Sequence, residues 1–384
     1  MDQIWAAFER AAEHPLDYAK TWKRDTGGRV IGILPMHFPV ELAHAAGALP
    51  TILQEDKEPI TVGQANVYSF YCGYNRSLTD QLMRGEFKFL DAILFGDHCV
   101  QLLGTADVIR AEMPEVPILF NQLISSLSAP WAREETQNTF RRLWIELEEL
   151  IGHKITSDDA NRSIRLYNHS RQLIRHLFDL RRENKIALSG RQLQLIVKSS
   201  MVMDVGQHTA MLETLVGKLE AGPAGRSGVR VYVSGHYCQS AKPEILNVIE
   251  DCGAIIVDDD LYHGFRFVST DIEELENPID ALANWYLARN RRVPCAAVAD
   301  EGADWDKFLL GAVANSNAAG LIILQVKYCE PHMYFYPEIK EAFQKENIPH
   351  LLIETEHEQM PIEAMKTRIE TFLEIAKRRT AAMA

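Results

Sequence analysis

The chain has 384 residues, 47% of them apolar, and a formal net charge of -13 at pH 7. That length exceeds what one hydrophobic core supports, so two α/β lobes and a connection are expected, and the negative balance argues against general nucleic-acid binding, which needs basic stripes to displace phosphate counterions. The longest apolar runs, such as GLIILQV from Gly320, fall far short of the roughly 20 residues of a membrane span, and the start MDQIWAAFERAAEHPLDYAK reads as an amphipathic helix without a signal core, so a cytoplasmic location is expected.

In chain order, GGRVIGILP (27–35) has the pattern of a short buried strand. It runs into PVELAHAAGALP, where Pro39 suits a first helical position, Glu41 the first turn and Gly47 the helix end. LDAILFG (90–96) and VPILFNQ (116–122) read as two more strands buried on both faces, as in a doubly wound parallel sheet. From Trp131 to Ala221 the segments FRRLWIELEELIGHKI and DANRSIRLYNHSRQLIRHLFDLRRENK carry apolar residues at three-to-four spacing, with no strand candidate among them. GPAGRSG (222–228) is the clearest linker. Beyond it VRVYVSG, GAIIVDD, VPCAAVA, GLIILQV and IPHLLIET read as strands, between helices such as KPEILNVIEDCG and PIEAMKTRIETFLEIAKRR. The expected fold is two doubly wound, Rossmann- or flavodoxin-like lobes, 1–130 and 228–384, joined by a helical connection at 131–227.

Six cysteines are too sparse for a disulfide scaffold, and a reducing compartment would keep them as thiols, so metal binding or catalysis becomes the question. Cys99 in FGDHCVQ and Cys329 in QVKYCEPHMYF stand just past inferred strands, on the edge where open α/β sheets bind ligands. Cys72, in FYCGYNRSL, falls in a loop and turn between the first two strands and is placed for the same crevice. Thiolates from two lobes make an interface site, and soft thiolates select iron-sulfur clusters or zinc. The set has no compact C-x-x-C spacing. Cys252 and Cys295 read as structural, while Cys238 in VSGHYCQS also follows a strand and stays open.

Taken together, PVELAHAAGALP, FYCGYNRSL, Cys99 behind its strand and KYCEPHMYFYPEIKEAFQKENIPHLLIETE resemble the 2-hydroxyacyl-CoA dehydratase and benzoyl-CoA reductase superfamily, from Pro39 to the final helix. The most specific element is Lys327 to Pro331, followed by a helix, a strand and an acidic end at Glu354 and Glu356. The resemblance implies that Cys72, Cys99 and Cys329 hold a 4Fe-4S cluster with one iron left open, in a site between the lobes. It also implies a homologous second substrate-binding subunit, a separate ATP-hydrolysing iron-sulfur activator, ferredoxin as electron donor and an acyl-CoA substrate. Such a cluster supplies a low-potential single electron close to the thioester carbonyl. The wording YSFYCGYNRSL and SGHYCQSAKPEI is most similar to the smaller substrate-binding subunit of ATP-dependent benzoyl-CoA reductase, which reduces the aromatic ring to a cyclic dienoyl-CoA. A radical 2-hydroxyacyl-CoA dehydratase subunit, a non-catalytic electron-relay or structural subunit and a zinc-stabilised binding module are the alternatives. The chain has no G-x-x-x-x-G-K-[ST] stretch, so ATP hydrolysis falls to a partner. DDDLYHGFR has Tyr262 where family members with a larger double-cubane cluster commonly carry cysteine, so a single cubane is expected.

Several polar residues are weaker candidates. His98 beside Cys99 and Glu330 beside Cys329 are placed to donate a proton or to hydrogen-bond sulfur. His236 and His263 follow other strands at the same edge. Asp258 to Asp260 resembles a metal-binding run but reads better as a solvated strand end, and Tyr334, Phe335 and Tyr336 read as packing at a helix entry. For coenzyme A phosphates the basic candidates are Arg162, Arg165, Arg171 and Arg175, or Arg289, Arg291 and Arg292.

Overall fold

The computed structural model describes residues 1–35, 38–96, 99–235, 238–358 and 360–383. Helices α1 (Asp2–Glu13) and α2 (Pro15–Thr26) lead into β1 (Arg29–Ile33), α3 (Val40–Ala45), β2 (Ala48–Ile52), α4 (Gly73–Met83), β3 (Ala92–Gly96), α5 (Val100–Glu112) and β4 (Ile118–Asn121). Four helices follow: α6 (Ala132–Ile151), α7 (Ser157–Arg182), α8 (Gly190–Ser200) and α9 (Val205–Glu220). The chain then makes β5 (Val229–Gly235), α10 (Pro243–Asp251), β6 (Ala254–Asp259), α11 (Pro278–Arg292), α12 (Trp305–Asn315), β7 (Gly320–Val326), α13 (Glu330–Lys345), β8 (His350–Thr355) and α14 (Ile362–Met383).

The strands form two four-stranded sheets, β2-β1-β3-β4 and β6-β5-β7-β8, with every described pairing parallel. Both sheets place their second strand, then first, then third and fourth, the flavodoxin-like order. The direction of winding reverses between β1 and β3 in one sheet and between β5 and β7 in the other, and at such points the loops beyond the carboxyl ends open a crevice.

Alternation along the strands explains the layers. Ile31, Ile33, Ala92 and Leu94 face one core, whereas Val30, Ile93 and Phe95 face another on the opposite side of the sheet. In the second sheet Leu321 and Ile323 join the first of these cores, and Ile322 and Leu324 join a third. The shared core also takes Leu143, Leu177 and Ile196 from α6, α7 and α8, so the helical segment packs between the inner faces of both sheets. Each fully buried Ile, Leu or Val contributes about 1.5–3 kcal/mol. Two of these helices start on reciprocal caps, Thr156 with Asp159 on α7 and Ser189 with Gln192 on α8.

Several sequence expectations are corrected. Pro39 is the N-cap of α3, which ends at Ala45, and the residues beyond Gly47 (φ 75°) are the unexpected strand β2. Pro50 within ALPTI and the brevity of the run disguised that strand. The loop expected around Cys72 is largely the helix α4, buried from Gly73 to Leu82. Its Asn75, Arg76, Ser77, Thr79, Asp80 and Gln81 give it no apolar stripe, so the periodicity that marks an amphipathic helix is missing. β4 is an edge strand with Phe120 40% exposed, not one buried on both faces. VPCAAVA is no strand. The Arg266 guanidinium donates to the carbonyls of Val293 and Pro294, and the Cys295 N–H donates to Asn290 Oδ1, so side chains satisfy backbone groups that a ladder would have used.

Candidate functional site

Three of the helices begin on cysteine. Cys72 is the N-cap of α4, Cys99 of α5 and Cys329 of α13, and first-turn backbone N–H groups, of Asn75 and of His332, act on the Cys72 and Cys329 thiols against the rise that burial causes. Each sulfur therefore sits at a helix N-terminus, where unpaired N–H groups and the macrodipole favour negative charge. Cys99 comes just past β3, Cys329 just past β7 and Cys238 just past β5. These are strands at the two winding reversals. Tyr328 takes a left-handed φ of 67°, which turns the chain sharply off β7 and into α13 at Cys329.

One side chain ties the loops together. Gln101, in the first turn of α5 and 4% exposed, accepts from the Cys72 N–H at 2.8 Å and donates to the Tyr328 carbonyl at 2.9 Å. It links the helix headed by Cys99 to the loops of Cys72 and Cys329. The Cys238 loop is wedged in the same place. A Cβ on Gly73 would lie 3.0 Å from Gln239 Nε2 and 2.7 Å from His357 Cβ, and one on Gly235 would lie 2.1 Å from the Leu324 carbonyl and 2.8 Å from His332 Cε1. Only glycine permits either approach. Cys238 packs against the two cores that hold Cys72 and Cys99 on one side and Cys329 on the other.

The sulfurs also act on one another. Burial pushes the Cys72 thiol up to about 11, partly opposed by hydrogen bonds from Asn75 and reinforced by Cys99. Burial likewise raises Cys329, with Cys72 and Cys99 adding to it, and raises Cys238, with Cys99, Cys329, Cys72 and Cys295 adding to it. Uncomplexed, these groups stay protonated at neutral pH, and a metal must displace the protons. Among the described residues, no group of three or more His, Cys, Asp or Glu side chains is arranged to hold a metal ion.

The lobes are clasped beside this place. His357, after β8, meets Glu55 Oε2 at 3.3 Å and the Glu58 carbonyl at 2.9 Å, and Gln239 Nε2 donates to Glu55 at 2.6 Å. Glu356 lies 3.2 Å from Lys327 and 4.0 Å from Arg76. On another side, a cavity of about 570 Å³ is lined by Cys295, Asp300, Trp305, Phe335 and Glu338, among others.

The remaining sequence candidates are dispersed. His98 and His236 lie outside the described residues. Glu330 is exposed in the first turn of α13, and His263 is buried with its ring edge-on to Tyr262. Tyr262 is itself buried and raised by burial and by nearby Cys238. Asp258, Asp259 and Asp260 are neither solvated nor a metal run, because each is buried against its own arginine: Arg182 at 2.9 Å, Arg181 at 3.1 Å and Arg266 at 3.3 Å. Phe335 and Tyr336 pack on the shared core, whereas Tyr334 is 85% exposed. Arg162, Arg165, Arg171 and Arg175 all pair with acids of the same chain, Arg289 is buried over the Trp285 ring, and Arg291 lies 3.7 Å from Asp300. Cys252 ends α10 away from the thiol group, but Cys295, read as structural, lies within electrostatic reach of Cys238 and Cys329. Gln101 and Asn75 were missed, and their signal was a polar side chain in the first turn after a cysteine N-cap.

Among the described residues no helix is long and apolar enough to cross a membrane. The profile of the family described as 2-hydroxyglutaryl-CoA dehydratase, D-component, matches residues 35–376. The chain is 24% identical over 374 residues to the (R)-phenyllactyl-CoA dehydratase beta subunit of Clostridium sporogenes, covering 97% of this chain and 98% of that one. It is 24% identical over 363 residues to one of the benzoyl-CoA reductase subunits of Thauera aromatica, covering 94% of each. To the (R)-2-hydroxyglutaryl-CoA dehydratase beta subunit of Acidaminococcus fermentans it is 27% identical over 378 residues, covering 96% and 97%.

Proposed function

The chain belongs to the 2-hydroxyglutaryl-CoA dehydratase D-component family, and from that premise we propose that it is the cluster-bearing subunit of a hetero-oligomeric enzyme that reduces a coenzyme A thioester by one electron. The observation that carries this reading is the set of three cysteine N-caps, Cys72, Cys99 and Cys329, drawn from two sheets and tied by Gln101. A single zinc gathers its donors tightly around one atom. A four-iron cluster spreads its thiolates further apart, and all-sulfur donors suit it. Bound there, a 4Fe-4S cluster supplies a low-potential single electron.

The chain's own residues then have definable tasks. The N-termini of α4, α5 and α13 offset the negative charge of the thiolates. Gln101 holds the two lobes' ligand loops in one register, and the Glu55–His357 clasp closes the lobes beside Cys72. The aromatic walls of the cavity, Trp305 and Phe335, suit an acyl group, while Asp300 and Glu338 repel phosphates, so a thioester enters acyl end first. A homologous subunit completes the enzyme, and a separate ATP-hydrolysing activator, charged by ferredoxin, supplies the electron.

Ring reduction and dehydration begin with the same electron. The reductase subunit and the phenyllactyl dehydratase subunit are each 24% identical to this chain, so the product is decided by assay. The complex, purified anaerobically with its co-encoded neighbours, should convert either benzoyl-CoA to a dienoyl-CoA or a 2-hydroxyacyl-CoA to its enoyl-CoA. Colourless, iron-free protein that turns over neither thioester contradicts the proposal.

A further inference from the structure

We propose that Asn75, clamped by Thr105, sets the reducing power of the site through an N–H···S hydrogen bond to Cys72. This rests on the reading of Cys72 as a cluster ligand and adds a residue outside the donor set. Asn75 lies in the first turn of α4, 3% exposed, with its Nδ2 3.2 Å from Cys72 Sγ. An amide can be turned either way, and the sulfur decides which way. Thr105, on α5 and fully buried, brings its hydroxyl 3.0 Å from Asn75 Oδ1 and 3.2 Å from the Gln101 carbonyl. A thiolate only accepts, so it takes the NH2, and the amide oxygen is left facing α5, where it shares the one proton of the Thr105 hydroxyl with the Gln101 carbonyl. The reverse orientation would set a carbonyl oxygen against an electron-rich thiolate.

The consequence is electrostatic. An electron added to a cluster raises the negative charge on its thiolates, and a fixed N–H dipole aimed at one of them stabilises the reduced form more than the oxidised form. The potential therefore rises. The burial of Asn75 and Thr105 strengthens the effect, because little solvent screens a dipole held inside the protein. A site that must accept an electron from a donor and pass it to a poorly reducible thioester needs its potential held in a narrow window, and this bond keeps it from sinking below the donor's reach.

The test is a redox titration of the anaerobically purified complex, followed by electron paramagnetic resonance without substrate, alongside iron quantitation. Asn75→Leu and Thr105→Val should both keep wild-type iron and shift the potential to more negative values. Thr105→Ser, which retains the hydroxyl, should leave it at the wild-type value, and the double variant Asn75→Leu/Thr105→Val should shift no further than Asn75→Leu alone. If Asn75→Leu fails to load iron, the Thr105→Val and Thr105→Ser pair decides. Iron-loaded variants with the wild-type potential overturn the inference and leave the cluster reading standing. Wild-type protein without iron overturns both.

Discussion

Replacing Gln101 with leucine probes the join between the lobes. The two side chains are similar in volume, so the main change is the loss of two hydrogen bonds, to the Cys72 N–H at 2.8 Å and to the Tyr328 carbonyl at 2.9 Å. A buried group left unpaired costs about 1–3 kcal/mol. Cys72 and Tyr328 are only partly buried, so water recovers some of that loss, and about 2–4 kcal/mol in total is the expected destabilisation. The loops of Cys72 and Cys329 lose their common anchor, and iron content should fall with stability. Urea denaturation of Gln101→Leu beside wild type, with iron quantitation on the same preparations, measures both. Stability within about 0.5 kcal/mol of wild type, the usual range of a neutral surface change, together with full iron, would refute the claim that Gln101 organises the site.

Three further outcomes follow from buried groups. Arg266→Met strands the Asp260 carboxylate and the carbonyls of Val293 and Pro294; it should cost about 3–5 kcal/mol and make Cys295 reactive to alkylation, as read by mass spectrometry. Gly73→Ala pushes a methyl against His357 and should cost about 1–3 kcal/mol in denaturant, whereas Gly217→Ala, inside α9 with open space around it, should cost nothing, because alanine is the better helix former. His208 is buried against Phe8 and Ser199, and burial lowers its pKa to about 3. The unfolded chain takes up that proton near pH 6.5 and the native one does not. Stability should therefore drop by about 2 kcal/mol from this residue between pH 7 and pH 5, a loss that His208→Gln removes from the measured pH profile.

The parts of the fold legible in the sequence are those where burial is simple. GLIILQV and AIIVDD are buried along their whole length, and each carries an uninterrupted apolar run of four residues. The helices at 132–220 were legible from their stripes, reinforced by the caps of α7 and α8. Illegible was the polar interior. α4 is buried with Asn75, Ser77, Thr79, Asp80 and Gln81 inside it, because they serve neighbouring backbone and sulfur. The three aspartates at the end of β6 read as solvated because the arginines of Asp258 and Asp259 arrive from α7, far outside a local window, while Arg266, six residues past Asp260, meets it only through the turn after β6. Cys99, Cys238 and Cys329 could be read from strand ends and Cys72 only from its loop, but the approach of Cys238 and Cys295 to them depends on how two sheets face each other, which no local spacing records.

The central claim is that Cys72, Cys99 and Cys329 hold one iron-sulfur cluster between the lobes. Iron and acid-labile sulfide in the anaerobically purified complex, compared for wild type and for the Cys72→Ser, Cys99→Ser, Cys329→Ser and Cys252→Ser variants, tests it most directly. The account predicts that each of the first three loses most of its iron and brown absorbance while Cys252→Ser keeps both, and full iron retention in all three would contradict it.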